Sequence, residues 1–158
     1  MTSSQPNILV QVETYREWVL GALEGVTEAE ANLIPTGFRN NIRWNVGHLY
    51  LDQYLWIETV TREKIQVLPD EFHQWFGFGT SPSNFQPDTP TLAELIPYLR
   101  NQPIDIRDRF SNRLDEAFPP TEMGMQTIEH VLSRTIFHEG MHLQAILDLK
   151  KCILSQSV

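Results

Sequence analysis

The chain has 158 residues, 41% hydrophobic and 10% aromatic, with 20 acidic against 12 basic side chains and a formal net charge of −8. That length suits a single domain over residues 1–158, able to bury a core without staples. The acidic balance argues against a nucleic-acid partner, which needs a basic stripe to meet phosphates, and against docking on anionic lipid.

The opening stretch, MTSSQPNILVQVETYREW, has neither the basic start nor the apolar run of a leader peptide. From about Asn7 to Glu24, Ile8, Val12, Tyr15, Val19 and Leu23 recur at three- and four-residue spacing, the stripe of an amphipathic helix. Thr27 and Glu30 form a capping box that opens a short helical turn. A second long helix is expected from about Asn41 to Arg62. At ~100° per residue, Trp44, Leu51 and Leu55 fall within about 60° of His48, so His48 sits at the centre of the apolar stripe with Asp52 one turn on. Ile57 reads as a solvent-side apolar residue of this helix, a feature that suggests a homodimer.

Residues 65 to 90 form an unusually long connection, able to run back along a bundle. Within it, DEFHQWFGFGTSPSNF carries Phe72, Trp75, Phe76, Phe78 and Phe85. So much aromatic surface must pack on the bundle, cover a pocket or meet a partner. Thr91 and Glu94 make another capping box, and a third helix runs from there towards Glu116, with Leu92, Leu95, Leu99, Ile106, Phe110 and Leu114 inward. Pro97 and Pro103 each remove a backbone donor, so its first half should be irregular. The fourth helix runs from about Met125 to Leu154. His138, Glu139 and His142 fall on its apolar side, whereas His130 faces solvent. Cys152, near its end, is the one cysteine; it excludes an internal disulfide and fits a reducing, cytoplasmic setting. No window approaches the ~18 apolar residues of a membrane span.

Four long helices without a strand pattern specify an all-α fold, a four-helix bundle. The long link after the second helix makes the expected order up-down-down-up. His138 and His142, at i and i+4, can converge on one cation. Metal selection needs a third ligand, and His48, central to another inward stripe, supplies it. His73, in the crossover, and His130 are not expected to be ligands. HEGMH also fits the H-E-x-x-H protease pattern. However, no strand pattern precedes it to bind an extended substrate, and the 16 residues after His142 hold no further histidine.

The stretches W44-N45-V46-G47-H48-L49 and F137-H138-E139-G140-M141-H142 resemble the DinB/YfiT-like superfamily of metal-binding four-helix bundles. The resemblance covers essentially the whole chain. It places His48, His138 and His142 in the roles of the ligands to a divalent metal: zinc, nickel or iron. It also implies enzymes that use low-molecular-weight thiols as co-substrates to transfer or isomerise groups on small molecules. Glu139 and Asp52 are then the candidates to orient a ligand imidazole or move a proton. Where many members carry Gly-Gln after the last histidine and a variable residue, this chain has Gln144 and Ala145, so the substrate does not carry over. The competing functional class is a non-catalytic stress-response bundle in which the ion clips two helices.

Overall fold

The computed structural model describes residues 6–156, so the first five residues of the stretch read for a leader lie outside it. Six α-helices follow in order: α1 (Asn7–Leu23), α2 (Glu28–Asn32), α3 (Ile42–Thr61), α4 (Phe72–Phe76), α5 (Leu92–Phe110) and α6 (Ile128–Ser155). A 3-10 turn, Pro82–Asn84, stands between α4 and α5. No strand occurs among the described residues. No helix there is long and apolar enough to cross a membrane.

The helix ends are written locally. Thr27 and Thr91 each accept from the backbone N–H three residues on, while Glu30 and Glu94 reach back to the cap, so both expected boxes form. Asn41 caps α3 by accepting from Trp44 N at 2.8 Å, and Thr127 caps α6. The third long helix stops at Phe110 rather than near Glu116. Turns carry the chain from there past Pro119 and Pro120 to Thr127.

The four long helices enclose one core. α6 packs on α1 and α3, and α5 packs on the same two. The stripes read from sequence are the buried ones: Val12, Val19 and Leu23 on α1; Leu95, Leu99 and Ile106 on α5; Val131, Leu132 and Ile146 on α6. Two expectations are corrected. Ile57 is fully buried, because α3 is covered by α4, α5 and α6 together, and so it offers no surface to a second copy. And α5 is one continuous helix through both prolines.

The second correction has a specific cause. Pro103 has no N–H to give the Leu99 carbonyl four residues back. The guanidinium of Arg16, buried on α1, fills that vacancy: its Nη1 donates to Leu99 O at 2.9 Å and to Gln102 Oε1 at 2.9 Å. Its Nε and Nη2 bind the two carboxylate oxygens of Glu139 at 2.6 and 3.2 Å. One arginine thus ties α1 to α5 and α6 through charge-assisted bonds, with every partner buried.

The crossover is largely core. Phe72, Trp75 and Phe76 are buried, their rings in edge and tilted contact with one another. Phe78 alone of the group is bare, 99% exposed. Phe72→Ala should therefore cost about 3–5 kcal/mol of stability in urea denaturation. Phe78→Ala should stay within about 0.5 kcal/mol of the parent. Equal losses at the two positions would contradict this division.

Candidate metal centre

α3 and α6 cross where His48 faces His138 and His142. The Nε2 atoms of His48 and His138 are 3.2 Å apart, and those of His138 and His142 3.1 Å. These three side chains form a cluster of the composition and closeness that could hold a metal ion. Nitrogens at ~2.0–2.1 Å from a tetrahedral zinc lie about 3.3 Å from one another, a spacing that these two pairs match, and all three ligand atoms lie within 4.8 Å of one another.

Each ring's other nitrogen is engaged. His48 Nδ1 donates to the carbonyl of Phe76 at 2.7 Å. A carbonyl can only accept, so the proton sits on Nδ1 and the Nε2 lone pair is free. His142 Nδ1 meets Asn45 Oδ1 at 2.7 Å. The orientation of that amide is fixed by its own nitrogen, which donates to Asn41 O at 2.8 Å and Asn40 Oδ1 at 3.1 Å. Asn45 therefore offers an oxygen, and His142 too keeps its proton on Nδ1. His138 Nδ1 lies 3.4 Å from Asp52 Oδ2, an oxygen that also accepts from Trp56 Nε1 at 3.0 Å. His48 and His142 thus aim Nε2 lone pairs at His138 Nε2 and at the space between the rings, and both are held from behind as metal-bound histidines are.

Burial, reinforced by the neighbouring imidazoles, lowers the His142 pKa to about 3; burial, with the His48 ring and the Arg134 guanidinium nearby, lowers His138 to about 4. Both are neutral at pH 7 and able to bind a cation.

The motif around His48 has a part for each conspicuous residue. The Trp44 indole stacks on the His48 ring, centroids 4.7 Å apart and planes 10° from parallel, and its Nε1 donates to Thr80 Oγ1 in the crossover at 2.9 Å. Gly47 is where the Phe76 ring lies: any Cβ there would overlap Phe76 Cδ1 and Cε1. Phe76 therefore touches α3 twice, with its ring against Gly47 and its carbonyl on His48.

The structure brings His48, His138, His142 and Asp52 together. Glu139 turns the other way, towards α1 and Arg16. His73 and His130 are exposed, and His130 Nδ1 accepts from Gln126 N. Asn45 and Arg16 were not singled out from sequence, and Phe76 only as one of the crossover aromatics. Arg16 carried a signal of its own: it lies four residues after Val12 and three before Val19, a charge within an apolar stripe.

An all-helical chain with three imidazoles converging between two long helices has the form of a helical protein able to bind a metal through histidine. The family model of the DinB superfamily matches residues 11–146, and the chain belongs to that superfamily. No curated protein matches it.

Two outcomes follow. Gly47→Ala would raise helix propensity by about 1 kcal/mol, but the methyl must displace Phe76, and overpacking of that kind costs about 1–3 kcal/mol. The displacement also frees His48, so metal affinity measured by chelator competition should drop about 10–100-fold with helix content kept. Unchanged affinity would show that Phe76 does not position His48. The second outcome concerns pH. The unfolded chain's histidines take up protons near 6.5, while folded His138 and His142 resist until about 4 and 3. Between these limits the unfolded state holds more protons, so the metal-free fold is at full strength above about 6.5 and weakens as pH falls towards 4. Urea melts from pH 8 to 4 read this, and His138→Ala should flatten the slope. An identical slope in parent and variant would refute the assignment.

Proposed function

We propose that this chain binds one divalent transition metal through His48, His138 and His142 and uses it in group transfer on small molecules, with a low-molecular-weight thiol as co-substrate. The observation that carries this reading is the convergence of three Nε2 atoms, with His48 and His142 held from behind by an acceptor and the Asp52 carboxylate 3.4 Å behind His138. An all-imidazole donor set suits zinc, nickel or iron, and three protein ligands leave coordination positions for other molecules. A metal bound there acidifies a thiol or water that reaches it.

The chain's own residues have distinct tasks in this reading. Asp52 orients His138, Asn45 orients His142, and Phe76 O orients His48. Trp44 fixes the plane of the His48 ring. Phe137 and Met141, which flank the histidines along α6, are exposed and provide apolar surface for a substrate's non-polar part. Glu139 belongs to the helix anchor with Arg16 rather than to proton transfer. That placement also weighs against an H-E-x-x-H protease, whose glutamate must face the metal's water.

The same reading takes the bundle as up-down-down-up. Its support is the order of contacts. Asn45 meets His142 while Gln53 meets Thr135, so α3 and α6 run oppositely. Tyr50 meets Gln102 and Tyr54 meets Asp105, so α3 and α5 run together. Arg16 meets Glu139 and Ala22 meets Lys150, so α1 and α6 run together. A homodimer in the cytoplasm remains the proposed setting, without the support first drawn from Ile57.

The test is metal analysis of purified protein, followed by turnover of a thiol with an activated aryl halide on loaded and stripped samples. One bound equivalent, lost in His48→Ala, His138→Ala and His142→Ala but kept in His130→Ala, is expected, together with metal-dependent thioether formation. Tight metal in His48→Ala protein would overturn the three-histidine site. Full metal without turnover on any thiol would replace the enzyme with a metal-clipped structural bundle.

A further inference from the structure

A cavity of about 520 Å³ opens between α3 and α5, and none of the three histidines lines it. Tyr50 and Tyr54 from α3 and Tyr98 from α5 form aromatic walls, and Asp88, Glu94 and Asp105 bring carboxylates to it. No lysine, arginine or histidine lines it. The arginines nearby are committed elsewhere: Arg109 Nε to Asp105 Oδ1 at 2.7 Å, and Arg43 to the carbonyls of Pro90 and Thr89 at 2.8 and 2.6 Å.

Tyr50 makes the cavity more than a groove. It is only 3% exposed, its ring fixed against Tyr54, Phe72 and Tyr98 at centroid distances of 5.4, 5.5 and 5.1 Å. The Tyr54 hydroxyl donates to Asp105 Oδ2 at 2.7 Å, but the Tyr50 hydroxyl has no hydrogen-bond partner among the described residues. The ring is buried but its hydroxyl is not fully enclosed, so it offers the cavity an unpartnered donor and acceptor. Asp88 is exposed and has no ion pair among the described residues, which leaves its charge available to a visitor.

We propose that this cavity binds a small organic ammonium ion, its charge set against the face of Tyr98, beside the Tyr50 hydroxyl, and within the field of Asp88 and Glu94. The Tyr98 face carries the negative end of the aromatic quadrupole, and Asp88 and Glu94 add to the same field, while Asp105 is offset by Arg109. An anion would meet the two carboxylates, and a neutral apolar molecule would leave them without benefit. The site is separate from the histidine cluster and does not depend on the metal reading.

The probe is choline, with 3,3-dimethylbutan-1-ol as its uncharged counterpart of the same shape, titrated into the full metal-loaded chain by calorimetry. Choline should saturate one site and bind at least about 10-fold more tightly than the alcohol. Tyr98→Ala and Asp88→Asn should each weaken choline several-fold, while Tyr98→Phe, which keeps the ring face, should retain most of the affinity. His142→Ala should leave it unchanged. Tyr98 and Asp88 stand at the surface, and thermal melts of both variants establish that they fold. Equal binding of choline and the alcohol, no saturable choline binding, or full affinity in both Tyr98→Ala and Asp88→Asn would overturn the proposal. Loss of choline binding in His142→Ala would place the cation at the metal centre and overturn it equally.

Discussion

Two imidazole nitrogens that face each other across 3.1 or 3.2 Å either share a proton or repel, and this fold sets His138 Nε2 against both His48 Nε2 and His142 Nε2. The two outer rings do not supply that proton: a carbonyl behind His48 and an amide oxygen behind His142 keep theirs on Nδ1. The Asp52 carboxylate lies 3.4 Å behind His138. Burial makes an added proton unfavourable on His138 and His142. Each backing hydrogen bond is worth only about 1 kcal/mol net, so the cluster depends on several acting together and on helices that do not yield.

That rigidity is assembled from distant parts of the chain. The acceptor for His48 lies 28 residues away in the crossover, and the one for His142 lies 97 residues away on α3. The crossover reaches its place because its aromatic residues are core: Phe72, Trp75 and Phe76 pack beneath it, and Trp44 ties it through Thr80. On the far side, Arg16 joins α1, α5 and Glu139, one residue along from His138. The histidine-bearing face of α6 is therefore braced from both flanks.

Much of this was legible in the amino-acid sequence, and the omissions share a cause. Helical stripes are local: they gave the four long helices, both capping boxes and the inward position of His48, His138 and His142. The DinB resemblance rested on short motifs whose spacing along one helix is also local. What escaped depends on partners far apart in sequence. Asn45 looks like any polar residue in a helix until His142 arrives against it. Glu139 fits a protease pattern until Arg16 claims its carboxylate. Ile57 looks like surface on a two-sided helix, but α3 is covered on three sides. Pro97 and Pro103 predicted irregularity by a sound local rule, which a long-range arginine overrode at Leu99.

That last exchange bears on how this molecule could change over generations. An isolated helix treats proline as a fault, and a search for sturdier variants would replace Pro103 with a better helix former worth roughly 3 kcal/mol on propensity alone. In this fold the substitute would bring an amide hydrogen to compete with Arg16 for the Leu99 oxygen, at the one place where the guanidinium joins three helices. The gap in α5 is a reserved seat. Drift at position 103 is thereby coupled to drift at positions 16 and 139, so these three residues would tend to be kept or lost as a set.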